Sequence, residues 1–159
     1  MKPSSILSLS HNPKRLQVPP TEKPMKKEQL PRGFRNNNPL NIRIGNVWLG
    51  EVNHPTDPNF EQFVSIPYGI RAACILLRRY IRHYKRTTIP QVITAWAPPS
   101  ENATSHYVDI VCQLSGITPD TQLDYSNKVQ MCRLLAAMIQ VENGRSLPMQ
   151  VIEQGYDLA

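Results

Sequence analysis

From Tyr68 to Lys85, apolar side chains recur at steps of three and four residues: Ile70, Ala73, Cys74, Leu77, Ile81 and Tyr84. That spacing predicts a helix with one buried stripe. Thr88 with Gln91 reads as a capping box for a shorter helix carrying Val92, Ile93 and Trp96, which Pro98-Pro99 ends. A third helix holds Tyr107, Ile110, Val111 and Leu114 and closes at Gly116. A fourth runs from about Ser126 to Glu142 and stops at Asn143-Gly144, and Ser146 with Pro148 opens a short final helix. Ahead of these the period changes to two. "NIRIGNVWLGEV" (41–52) alternates around a Gly45-Asn46 turn, and "FEQFVS" (60–65) is a second extended run. Together they predict a small antiparallel hairpin or a three-stranded flap. No internal repeat is visible, and the fold class expected is α+β, mainly α.

One position on the fourth helix does not fit its pattern. Met131, Leu135, Met138 and Glu142 share one face at 100° per residue, so a carboxylate points where the methionines point. Burial there disfavours the charged form, and so does the negative end of the helix dipole. Such an acid can hold a proton near neutral pH and deliver it to a leaving group. The position also fits a frayed last turn or an ion pair with an arginine. Glu101 has the opposite setting, just before a helix amino-terminus, where free N–H groups favour the ionised form. It fits a capping role, an anionic stabiliser or a base that orients water. Two carboxylates whose surroundings separate their pKa values are what glycoside hydrolysis uses.

Charge and composition add a boundary. Residues 1–35 hold eight Lys or Arg, two acids (Glu22 and Glu28) and six of the fifteen prolines, whereas 36–159 carry ten bases and ten acids. Residues 1–31 therefore read as a disordered or loosely docked basic, Pro-rich arm, and 32–159 as the folded domain. The arm suits an anionic partner such as nucleic acid, a membrane surface or the acidic polymers of a bacterial wall, or serves as a solubilising linker. For the folded part, neutrality and a lack of interleaved aromatic and basic residues argue against nucleic acid. Arg78, Arg79, Arg82 and Arg86 read as a solvated face. Cys74, Cys112 and Cys132 lie within apolar helical patterns without metal-ligand spacing, and no metal or cofactor is expected. "SSILSLS" is too short and polar for a signal-peptide core, and no run approaches the ~20 apolar residues of a membrane span. Synthesis in the cytoplasm without a signal peptide is expected. The Asn102-Ala103-Thr104 glycosylation triplet then reads as chance.

The runs "RGFRNNNPLNIR", "FEQFVSIPYGIRAACILLRRY" and "ITAWAPPSENATSHY" resemble a family of phage-virion and prophage-type proteins regarded as lysozyme-like cell-wall-degrading or structural proteins. The resemblance covers roughly residues 32–145. More distantly, "NPLNIR", "FEQFVS" and "ENATSHY" are similar to blocks of flagellum-associated glucosaminidases and lytic transglycosylases. In those enzymes the helix ending on the catalytic Glu comes first, whereas its counterpart here, "AMIQVENG", comes last. The resemblance therefore implies a lysozyme-like helical domain with a small β flap and a cyclically shifted order of elements. It gives Glu142 the role of catalytic acid and Tyr107 that of the site tyrosine, with Asn102 and Thr104 in the same block. Close surface termini make such a shift tolerable.

On that reading Asn36, Asn37, Asn38 and Asn41 line the flap side, where amides can bond sugar hydroxyls and N-acetyl groups, although Asn also serves turn chemistry. Trp48 can stack on a sugar ring, and Trp96 fits core packing better. The function expected is cleavage of peptidoglycan glycan strands by a muramidase, glucosaminidase or lytic transglycosylase. Delivery to the wall would be by a virion, secretion machinery or lysis, with proteins of those assemblies as further partners. The alternative is a non-catalytic virion or wall-binding protein.

Overall fold

A computed structural model describes residues 24–99 and 103–159. It is rich in helix. α1 (Arg32–Arg35) is a single turn, followed by α2 (Ile66–Arg78), α3 (Ile89–Trp96), α4 (Thr104–Ser115), α5 (Lys128–Asn143) and α6 (Met149–Leu158). No described helix is long and apolar enough to cross a membrane.

The centre of the domain is α5. Met131, Cys132, Leu134, Leu135, Ala137, Met138 and Ile139 are all buried, a wide face made possible because 134–141 carries no charge, while Val129 and Arg133 in the first half of the helix stay exposed. α4 and α6 pack against it, α1 touches it as well, and α2 lies along α6. Gly155 of α6 sits so close to Ile70 of α2 that any Cβ there would strike the Ile70 side chain. Asn127 caps α5, its side chain accepting from the Gln130 N–H at 3.1 Å. α4 and α5 close on Gly116 and Gly144, both left-handed with φ of 69° and 66°. Thr88 accepts from Gln91 N–H as a capping box requires, while the Gln91 amide reaches back one residue further, to Thr87 N–H.

Two helix stripes differ from expectation. α2 runs on into a π turn, Arg79–His83, which adds a residue to the cycle and rotates Tyr84 out of the stripe, leaving it 53% exposed. On α4 the buried seam is Thr104, Tyr107, Val111 and Ser115, so Leu114 lies off it and faces solvent. The cysteines are free: Cys74 and Cys132 are buried, and burial pushes the Cys74 thiol up to about 12.

The flap is three-stranded in outline, and the Gly45-Asn46 turn does not pair its own two limbs. Residues 59–64 lie between those limbs instead. Ile44 N–H donates to Asn59 O and Glu61 N–H to Ile42 O on one side, while Val52 N–H donates to Gln62 O and Val64 N–H to Gly50 O on the other. The antiparallel bridges are Arg43 to Phe60 and Glu51 to Phe63. Asp57 ties this flap to α1. Its carboxylate accepts a two-pronged contact from Arg32, at 2.7 and 2.8 Å, and further bonds from the Asn36 amide and the N–H groups of Asn59 and Phe60. These donors, Arg32 first, hold Asp57 well below the usual carboxylate range. A depressed carboxylate contributes stability above its unfolded pKa and loses it as pH falls below. Asp57→Ala should therefore destabilise the fold by on the order of 2 kcal/mol at pH 7. In urea unfolding the deficit should shrink below pH 4, and a pH-independent deficit would show that the charge is not what matters.

Of the arm expected over 1–31, residues 1–23 lie outside the described residues. Within the remainder, Lys27–Gln29 form one 3-10 turn, and the Arg145 guanidinium meets the Met25 sulfur at 2.6 Å.

Candidate active site

The asparagine run is built by backbone requirements before it can meet any ligand. Asn37 and Asn41 both adopt left-handed backbone, φ 51°, which Asn tolerates better than most residues. Asn38 is fully buried: its amide donates to the carbonyls of Ile42 and Glu61, and its side-chain oxygen accepts from Ile42 N–H. Asn36 is buried between Asp57 and Gln62, and the Asn37 amide is bonded to Phe63 O. Three of the four asparagines thus hold the flap to the loop, and Asn38 has no polar atom left for a substrate. Asn41 alone turns toward α5.

There it meets Glu142. The Asn41 amide donates to one carboxylate oxygen at 3.0 Å and the Tyr107 hydroxyl to the other at 3.1 Å, across 101 and 35 positions of sequence. The next residue, Asn143, locks the end of α5 against the same loop, its amide donating to Pro39 O at 2.7 Å and to Ile139 O at 2.9 Å. Gly33 of α1 permits this approach, because a Cβ there would stand 2.5 Å from the Asn143 side-chain oxygen and 3.1 Å from that of Asn41. Burial pushes the Glu142 carboxyl above the usual glutamate range, against the two hydrogen bonds, which favour its charge. Tyr107 is raised as well, by burial first and the adjacent carboxylate second, so it remains the donor. Neither a frayed turn nor an arginine partner accounts for Glu142: α5 continues through Asn143, and among the described residues its side-chain partners are Asn41 and Tyr107.

Asn41 also lines a pocket of about 270 Å³, with Ile42, Arg43, Asn46, Leu76, Tyr80 and Trp96. The aromatic wall is therefore Trp96, set edge-on to Tyr80 with ring centroids 6.1 Å apart. Trp48 is absent from this lining. It is half-buried against the core, and its indole N–H finds no acceptor among the described residues. Trp96 also packs against the core, as expected, and from the edge of the buried face of α3 it reaches the pocket as well. Thr104 is buried too, its hydroxyl donating to Ala97 O at 2.6 Å and joining the end of α3 to the start of α4, so it is not free for a substrate. Glu101 and Asn102 lie outside the described residues.

The flap holds an acid that periodicity could have found. In "FEQFVS", alternation puts Glu61 on the face of Phe63, and both are buried, at 8% and 2% exposure. Burial and the nearby Glu51 raise Glu61 above the usual range, and one of its oxygens finds no partner among the described residues.

Asn41 joins the Trp96 pocket to Glu142, which with Tyr107 stands outside its lining. An acid kept protonatable by burial and held by two neutral donors can act as a general acid toward a ligand that extends from the pocket past Asn41. If so, Tyr107→Phe removes a bond that favours the charged form, and the Glu142 pKa should rise further. The basic limb of any pH–activity profile should then move to higher pH, and an unmoved or lowered limb would show that Tyr107 does not tune this carboxyl.

No family model matches the chain. Protein P5 of Pseudoalteromonas phage PM2 is 38% identical to it over 125 residues, a stretch covering 76% of each protein. With that identity over three quarters of both chains, this protein belongs to the family of the phage PM2 Protein P5.

Proposed function

We propose that the protein cleaves the glycan strands of peptidoglycan, as a muramidase, glucosaminidase or lytic transglycosylase, and that its domain is a cyclically shifted member of the lysozyme-like folds. The observation that carries this is the Glu142 carboxyl, with raised pKa, held by Asn41 and Tyr107 beside the pocket of Trp96. Protonated Glu142 donates to the glycosidic oxygen as the bond to the anomeric carbon breaks. The positive charge that develops there is met either by Glu101 or by the acetamido group of the substrate. In the transglycosylase variant the sugar's own 6-hydroxyl attacks the anomeric carbon and returns its proton to Glu142, so one acid suffices. Kinship with a phage protein agrees with delivery to the wall by a virion.

Mass spectrometry of material released from purified peptidoglycan tests the proposal. Anhydro ends identify a transglycosylase and reducing ends a hydrolase. No release from any wall substrate would leave a virion structural or wall-binding protein.

A further inference from the structure

The charge of residues 36–159 sums to zero but is not evenly spread. Five of the ten bases lie in "RRYIRHYKR", 78–86, and no acid occurs between Glu61 and Glu101. Tyr80 and Tyr84 alternate with those bases, an interleaving that net charge hides. Arg79, Arg82, His83, Lys85 and Arg86 are all exposed, and among the described residues no carboxylate forms a salt bridge with them. Beside them is a pocket of about 550 Å³, whose lining includes Tyr84, Lys85, Arg86, Gln91 and Thr94. Arg86 stands 5.6 Å from the ring centres of both Tyr80 and Tyr84.

Lys85 supplies a second, independent observation. It takes a left-handed backbone, φ 55°, just past the end of the α2 π turn, where α4 and α5 use glycine. A side chain at such a position costs roughly 1 kcal/mol relative to glycine. The fold would be better served by Gly, yet a cation sits there at the mouth of the pocket.

We propose that this face binds single-stranded nucleic acid, with backbone phosphates on Arg79, Lys85 and Arg86 and a base in the pocket against Tyr84; Arg82 points elsewhere, over the Tyr125 ring at 5.2 Å. A chain of phosphates suits three exposed cations that form no salt bridge with a carboxylate among the described residues, and a base suits a concave site with an exposed ring and the polar groups of Gln91 and Thr94. A lipid surface suits it less, since Tyr84 is the sole large apolar side chain exposed over 78–95.

The test is fluorescence anisotropy of the full-length chain with fluorescein-labelled twenty-residue oligo(dT) at 0.1 M salt, repeated across a salt series. Lys85→Gly and Lys85→Asn both remove the charge, and both suit the left-handed backbone. Each should keep or raise the melting temperature, weaken binding about fivefold and flatten the salt slope by about 0.7, the value of one phosphate contact on a single strand. Tyr84→Leu should weaken binding by about fivefold or more through lost stacking. Arg133→Gln, which removes an exposed base from α5, should stay within about twofold of wild type. Equal losses in the Arg133 and Lys85 variants would reduce the effect to bulk charge and overturn the proposal. So would no oligonucleotide binding, or Lys85-dependent binding to phosphatidylglycerol vesicles in preference to the oligonucleotide.

Discussion

Glu142→Gln should abolish cleavage of peptidoglycan, with a loss of at least the ~10²–10⁴-fold carried by general acid–base catalysis, while folding and wall binding persist. Glutamine keeps the size of the side chain, its oxygen can still accept from Asn41 and its N–H can donate to a Tyr107 hydroxyl turned to accept, but it has no acidic proton to transfer. Stability has a definite sign. The folded-state pKa of Glu142 lies above its unfolded value, so the folded state binds the extra proton and wild type is penalised at pH above both values. The variant should thus melt at or above the wild-type temperature at pH 7, and the gap should close as pH falls through the raised pKa toward 4.5. A variant less stable at pH 7 than at pH 4, relative to wild type, would contradict the burial account. Glu101→Gln is the matched control. Loss of activity there alone would move the acid's role to Glu101, and activity in both variants would remove the proposed mechanism.

Gly69→Ala should have the largest effect on the fold. Gly69, in the first half of α2, lies against the carbonyl oxygen of Asn37, and any Cβ would land on that backbone atom. A flexible side chain can swing away from such a clash, but a carbonyl fixed in a left-handed turn cannot. Overpacking of this kind costs up to about 3 kcal/mol, which for a chain of this size lowers the melting temperature by roughly 6–12 °C. The displaced turn also carries Asn41, so activity at permissive temperature should fall with stability. Gly116→Ala is the comparison. Unlike helical Gly69 it has a positive φ, but open space surrounds its Cβ, and it should cost only the ~1 kcal/mol of backbone strain. Calorimetry that found Gly69→Ala no worse than Gly116→Ala would show that the loop yields and that the close approach is not a constraint.

Helices and their ends were legible in the sequence because their causes are local. Side chains three and four apart share a face, Asn127 and Thr88 satisfy free N–H groups within three residues, and Gly116 and Gly144 relieve a left-handed position that no distant contact sets. The misplacement of Glu142 among methionines was legible for the same reason. Periodicity failed where the cycle itself changed, as at the π turn that turned Tyr84 outward.

What a face is buried against is a long-range matter. Nothing near Glu142 in the chain implies Asn41, 101 positions away, nor that Asn38, three residues before Asn41, would spend all its hydrogen bonds on the backbone. Composition cannot say that, of two tryptophans packed against the core, Trp96 also lines the pocket and Trp48 does not. It cannot say that residues 59–64 would part the two limbs of the Gly45-Asn46 turn. The sequence alone determined the five longer helices, the glycine stops of two of them and that one acid lies on an apolar face; it left α1 and the π turn after α2 unread. The tertiary structure decided how Asn41 and Tyr107 bond that acid and that Asn41 also lines a pocket, because those contacts depend on how the α1 loop, α4 and α5 pack in space and not on spacing along the chain.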